Sequence, residues 1–246
     1  MSISVDNFGL DNCDNLLAEY PSMKRLAIPE WFDTDSGTPA EIADSLSDLR
    51  RINRRFGGNA TTQSLVESVI QGVKIQSLSL LEVAAGAGAV PEEARAALQR
   101  SGIRLDVTLL DRAPSHLGNC SRKETWAVAG DALALPFMDA SFDVVSCCLF
   151  AHHLAPQDLI QFVNEGLRVC RRAVLINDLV RHPLHLALVY AGWPLYRSRL
   201  TRHDAPASVR QSYTPAEIRE LLQHTEATRI DMQRRFLFRM GVVVWK

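Results

Sequence analysis

The 246 residues contain no apolar run approaching the ~20 that a membrane-crossing helix needs, so no membrane span is expected. Neither charge sign dominates: 27 Lys+Arg against 28 Asp+Glu leave a net charge of −1. That balance argues against a nucleic-acid or anionic-membrane binder. No CxxC pair occurs among Cys13, Cys120, Cys147, Cys148 and Cys170, and the count is odd. Cys147 and Cys148 are adjacent and would point to opposite faces of a strand. A disulfide framework or a zinc site fits such spacing poorly, and the thiols read as small buried groups of a reducing cytoplasm. Met1–Asp6 offers neither a basic nor an apolar leader region, so no secretory signal is expected. Repeats and low-complexity tracts are absent as well.

What is present suits a soluble globule: 47% hydrophobic, 22% charged and 7% aromatic residues, enough for one large α/β domain or two small ones. Charge is unevenly placed. Residues 1–48 hold ten acids, Glu30 and Asp33 among them, against Lys24 and Arg25 alone. Arg50, Arg51, Arg54 and Arg55 then close a helical stretch that stops at Gly57-Gly58. Residues 1–58 therefore read as an acidic helical arm. The arginines can be a solvated helix face or part of a site.

From residue 59 strands and helices alternate. Apolar or alternating stretches predict strands at 78–84, 104–111, 126–129, 142–149 and 173–179, with helices at 61–73, 91–100, 157–169, 183–196 and 215–222. Residues 199–210 read as a polar loop. The stretches 228–236 and 240–245 lie too close together for anything but an antiparallel hairpin. The sum is one doubly wound parallel sheet with helices on both faces.

The turn after the first strand reads Glu82-Val83-Ala84-Ala85-Gly86-Ala87-Gly88, and a helix is expected to open at Pro91. Small residues there let a ligand approach the backbone, although a tight packing turn would look the same. Asp111 ends the second strand, 23 residues beyond Gly88, where a carboxylate can accept ribose hydroxyls or cap a helix. Gly130-Asp131-Ala132 follows the third strand, and Asp131 suits an adenine amine. A pyrophosphate would want a third glycine where Pro91 stands, and the Glu82 carboxylate would repel it. The same carboxylate suits a cationic sulfonium cofactor.

Leu80 to Gly88 resembles the first motif of class I S-adenosylmethionine-dependent methyltransferases. Leu135-Pro136-Phe137-Met138-Asp139-Ala140-Ser141-Phe142-Asp143-Val144-Val145 is similar to a stretch of their small-molecule branch, which includes ubiquinone and menaquinone methyltransferases. The resemblance covers about residues 77–246. It implies a Rossmann-like, seven-stranded sheet ending in an antiparallel strand, with S-adenosylmethionine as cofactor and S-adenosylhomocysteine as product. It further implies that Glu82, Gly86 and Gly88 line the methionine moiety, that Asp111 holds the ribose and that Arg112 stacks near the adenine. Asp131 and Ala132 would read the adenine edge, with Leu149 and Phe150 beside the cofactor. Two departures stand out: Glu82 replaces the usual first Asp, and Ala84 the usual first Gly.

The Asn/Asp-Pro-Pro-aromatic motif of nucleic-acid amino-methylating enzymes is absent; the place reads Leu149-Phe150-Ala151-His152-His153. The expected acceptor is therefore a small molecule, aromatic or polyketide-like, methylated on a hydroxyl, with C-methylation of a quinol the alternative. A non-catalytic cofactor binder is the alternative of another class. Adjacent histidines would not both face one target, so His153 is a candidate base and His152 a substrate contact. His203, beside Asp204 and Arg202, is the other candidate base. An insertion around residues 180–212 is where the family places its substrate lid, and Tyr190 and Trp193 there suit a flat acceptor, with Asp178 and Arg202 as polar contacts. Arg51-Ile52-Asn53-Arg54 before Gly57-Gly58, with Leu175-Ile176-Asn177-Asp178-Leu179, resembles a group of bacterial secondary-metabolite methyltransferases, which implies that the arm covers the pocket with Asn53 or Arg54 near the ligand. No metal is expected, the location is expected to be cytoplasmic, and monomer and homodimer stay equally open.

Overall fold

A computed structural model describes residues 23–33, 37–117, 125–235 and 237–246. Cys13, Cys120 and the first 22 residues of the expected arm lie outside the described residues.

One sheet carries seven strands in the order β3-β2-β1-β4-β5-β7-β6. They are β1 (Ser77–Val83), β2 (Arg104–Asp111), β3 (Trp126–Ala129), β4 (Phe142–Cys148), β5 (Cys170–Leu179), β6 (Arg229–Arg235) and β7 (Arg239–Trp245). The first five run parallel; β7 is antiparallel to both β5 and β6. Among the described residues, helices α1 (Pro39–Arg55), α2 (Gly58–Ile70), α3 (Ala89–Arg100), α4 (Pro114–Leu117), α5 (Pro156–Val169), α6 (Pro183–Ala191), α7 (Arg199–Gln211) and α8 (Pro215–Leu222) accompany the sheet.

Strand periodicity explains the two layers. Leu81, Val145, Val174, Ile176 and Val242 point into a core shared with α5 and α8. Their neighbours Leu80, Val144, Ala173, Leu175 and Val243 point the other way, onto α2 and α3. Apolar residues on both faces are what a doubly wound sheet demands. Strand order reverses between β1 and β4, which opens a crevice at their carboxyl ends.

Three local readings change. Residues 199–210 are helical, because Ser198 caps Leu200 N–H and Leu200, Ala207 and Val209 bury one face. Pro206 supplies no N–H to the carbonyl of Arg202, which accepts instead from Trp193 Nε1 at 3.1 Å. The expected 183–196 helix breaks at Gly192, and a short 3-10 turn follows at Trp193–Leu195. Helix α3 starts at Ala89 rather than Pro91, because Gly88 adopts the left-handed conformation (φ 71°) at its N-cap.

Residues 23–33 form neither helix nor strand and are strapped across the carboxyl edge. Arg25 donates to the carbonyls of Gln211 (2.7 Å), His152 (3.0 Å) and Leu154 (2.9 Å), and its guanidinium lies over the Tyr213 ring. Asp204 accepts the backbone N–H groups of Trp31 and Phe32. Arg181 binds the carbonyl of Met23 at 2.6 Å.

Candidate active site

A cavity of about 1470 Å3 fills the crevice, bounded by the strap, α1, the loops after β1 to β4, and parts of α6 and α7. Single-ligand pockets run to roughly 1000 Å3, so this one has room for two molecules.

The glycine loop forms one wall. Gly86 has φ 51°, and a Cβ built there would meet only Leu46, at 3.9 Å, so its cavity side is open. Gly88 differs: a Cβ would strike Leu109 at 2.6 Å, and the residue does not line the cavity. Its role is to pack α3 on β2. Ala84 lines the cavity with φ 53°, a left-handed conformation that side chains disfavour.

Asp111 fastens this wall from the end of β2. Its Oδ2 accepts the Gly86 N–H at 2.9 Å and its Oδ1 the Ala113 N–H at 3.0 Å, with His116 Nδ1 at 3.4 Å. Burial pushes its pKa up, but His116 and the two amides outweigh that and hold the carboxyl below its usual range. Arg112, Asp131, Ala132, Leu149 and Phe150 follow along the same wall. Asp131 Oδ1 accepts the Leu133 N–H, which aims the carboxylate along the edge.

Glu82 lies beneath the loop, opposite Ser146 of β4, and is 2% exposed. Its Oε2 has no hydrogen-bond partner, and burial pushes its pKa up to about 7. A buried carboxylate with an unsatisfied oxygen facing a cavity fits a cationic ligand group.

The opposite end is a cluster of acids and histidines. Residues Ala151–His153 form a 3-10 turn, in which successive side chains diverge by about a third of a turn. Both histidines therefore line the cavity, with ring centroids 4.3 Å apart, contrary to the expectation that adjacent histidines cannot share a target. His152 is buried, and its Nδ1 lies 2.7 Å from Asp178 Oδ1. Burial lowers its pKa, yet the Asp178 and Glu30 carboxylates prevail and raise it to about 10. His153 Nδ1 lies 2.7 Å from Asp33 Oδ2. Glu30 stands between the rings, 3.5 Å from His152 Nε2 and 3.9 Å from His153 Nε2.

Residues 81–176 match the family model described as a methyltransferase domain. That stretch is a methyltransferase domain. It runs from β1 through β5 and contains the glycine loop, Asp111, Asp131 and both cavity histidines. No curated protein matches the chain in sequence. Among solved structures, the plantazolicin methyltransferase BpumL, in complex with a monoazolic desmethylPZN analog and S-adenosylhomocysteine, is 14% identical with a TM-score of 0.65. The match covers 88% of this chain and 92% of that one. Magnesium protoporphyrin IX methyltransferase from Synechocystis PCC 6803, with bound S-adenosylhomocysteine, is 15% identical over 77% of this chain and 84% of its own, with a TM-score of 0.52. At such identities the likeness shows the fold.

The cavity gathers most of the residues singled out from sequence, but not all. Arg54 lines it from α1. Asp178 stands behind His152 rather than in the cavity, accepting the His152 N–H at 2.9 Å as well as holding the ring. Tyr190 and Trp193 do not line it; both are about half exposed, and Tyr190 Oη accepts from Arg210. Arg202 binds the Tyr196 carbonyl outside it. His203 is also outside, stacked on Trp31 at 4.0 Å with its Nδ1 on Asp204. The aromatic lining comes instead from Phe32, Phe56, Phe150, Tyr196 and Phe238. Glu30, Asp33 and His116 escaped the sequence reading. The first two are two acids among ten in residues 1–48, and nothing local pairs them with histidines some 120 residues away.

Proposed function

We propose that the protein transfers a methyl group from S-adenosylmethionine to a hydroxyl of a small, aromatic or polyketide-like acceptor. The observation that carries this reading is one cavity with two chemically distinct ends. At one end lie an open glycine turn, a ribose-competent carboxylate and the orphaned Glu82 oxygen. At the other lie two imidazoles among carboxylates, where a hydroxyl can lose its proton.

When bound, S-adenosylmethionine supplies a methyl carbon activated by a sulfonium. The chain's residues do the rest. Gly86 leaves space beside the loop, and Asp111 retains lone pairs for ribose hydroxyls. Arg112, Asp131 and Ala132 hold the adenine end, with Leu149 and Phe150 packing beside it. Glu82 supplies the countercharge for the cationic amino-acid end. Phe32, Phe56 and Tyr196 give an acceptor flat apolar walls. Its hydroxyl is turned toward His153 and Glu30, and His152 is held in place by Asp178. The strap closes the edge against water, and positioning then supplies much of the rate.

The test is to incubate the protein with S-adenosylmethionine and a panel of phenols, quinols and hydroxylated polyketides, reading products by mass spectrometry. Gain of one methyl on oxygen supports the reading. Methylation of ring carbon alone replaces it with C-methylation. Binding of S-adenosylhomocysteine without turnover of any acceptor would point to a non-catalytic binder.

A further inference from the structure

We propose that Glu30, His152 and His153 form the site of one divalent transition-metal ion, zinc being the first to try, with open positions toward the acceptor end of the cavity. One ligand atom from each residue lies within 4.8 Å of the other two. Their separations are revealing. His152 Nε2 to Glu30 Oε1 is 3.5 Å and His153 Nε2 to Glu30 Oε2 is 3.9 Å, both longer than a good hydrogen bond. Bonds of about 2.0–2.1 Å to one ion set neighbouring tetrahedral ligands ~3.4 Å apart, so small shifts would seat a metal.

The surroundings are built for it. Each ring is gripped at Nδ1 by a carboxylate, His152 by Asp178 and His153 by Asp33, both at 2.7 Å. This grip turns each Nε2 toward Glu30, as carboxylates do behind metal-binding histidines. His152 Nε2 is buried and has no hydrogen-bond partner. Glu30 is itself held through Oε1 by Ser208 Oγ (2.6 Å) and Gln211 Nε2 (2.7 Å). Among the described residues no Lys or Arg pairs with Glu30, Asp33 or Asp178; the nearby Arg25 is spent on backbone carbonyls. Three carboxylates therefore face two imidazoles with no Lys or Arg paired to them, and a divalent ion would take the place of the proton on His152 Nε2 as their counterion. Two imidazoles with one carboxylate suit zinc and its neighbours better than magnesium, which prefers oxygen alone.

The ion's use, though not the site itself, rests on the function proposed above. An acceptor oxygen bound to it would lose its proton to water near neutral pH. That oxygen would then form its bond to the methyl carbon as the carbon–sulfur bond breaks, the electron pair returning to sulfur.

The experiment is calorimetric titration of the chelator-treated full chain with Zn2+, alongside S-adenosylhomocysteine titration and visible spectra with Co2+. The wild type should take one Zn2+ per chain. Glu30→Gln and His153→Ala should each bind at least about 100-fold more weakly while still binding S-adenosylhomocysteine, and His224→Ala, at an exposed histidine, should match the wild type. If a variant fails to fold, the wild-type Co2+ spectrum decides: bands of a low-coordinate nitrogen-ligated ion support the site, and those of the hydrated ion overturn it. A folded wild type that binds S-adenosylhomocysteine but no Zn2+ overturns the metal site and leaves the methyltransferase reading intact. Zn2+ binding without S-adenosylhomocysteine binding does the reverse.

Discussion

Asp178 holds His152 twice, its Oδ1 at 2.7 Å from the ring Nδ1 and its Oδ2 accepting the backbone N–H at 2.9 Å. One acid near the end of β5 thereby fixes both the main chain and the ring of a turn that follows β4. Its carboxyl is held below the usual range: burial opposes ionisation, but the charge and hydrogen bonds of His152 outweigh it.

Asp178→Asn should keep the shape but lose the charge that orients the imidazole. Turnover is expected to fall about 10–100-fold. S-adenosylhomocysteine affinity should stay within a factor of two or three, on the order of 0.5 kcal/mol. Equal losses in both would assign Asp178 to the fold rather than to positioning His152.

Ala84→Gly should stabilise the protein. Left-handed backbone costs an alanine about 1–2 kcal/mol, while glycine gives back about 0.5–1 kcal/mol through unfolded-chain entropy. A net gain of up to about 1 kcal/mol should appear in urea unfolding. A loss of stability would mean that the loop does not hold this conformation.

Glu82 makes stability depend on pH in a stated direction. Burial lifts its pKa to about 7 in the folded protein from an ordinary 4.5, so folding favours the protonated form. Below about pH 4.5 there is no penalty. It grows as pH rises toward 7 and is constant above, reaching on the order of 3 kcal/mol. Glu82→Gln should therefore be more stable than wild type at pH 8 and similar at pH 4. Affinity for cationic S-adenosylmethionine should rise in the wild type between pH 6 and 8, because binding needs the ionised carboxylate. A flat affinity profile would separate Glu82 from the cationic group.

Arg25→Ala should loosen the strap without touching the sheet. Three carbonyls lose their donor, a local cost of roughly 1–3 kcal/mol. Turnover is expected to drop more than S-adenosylhomocysteine affinity, because Glu30 and Asp33 arrive on that strap. Unchanged turnover would make the strap incidental to the chemistry.

The sheet was legible because strands signal locally: the doublets Leu80-Leu81 and Val144-Val145 serve both faces, and the short gap between β6 and β7 forces a hairpin. The cofactor end was legible for the same reason, since Gly86, Asp111 and Asp131 each sit just after a strand. Helix α7 was not, because its buried face includes Thr201, Asp204 and Gln211, whose polarity reads as solvent exposure. The acceptor end was hidden by distance. Glu30 and Asp33 reach His152 and His153 only through the strap, and that path depends on Arg25 meeting carbonyls that leave no mark in sequence. Tyr190 and Trp193 misled because an apolar helix near a pocket looks alike on its inner and outer faces.

Calorimetric titration of the wild type and Asp111→Ala with S-adenosylhomocysteine probes the cofactor site itself. One site per chain is expected, weakened in the variant by about 1–3 kcal/mol through loss of ribose contacts and of the Gly86 tether. Absence of binding to the folded wild type, or equal affinity in the two proteins, would contradict the assignment of that site.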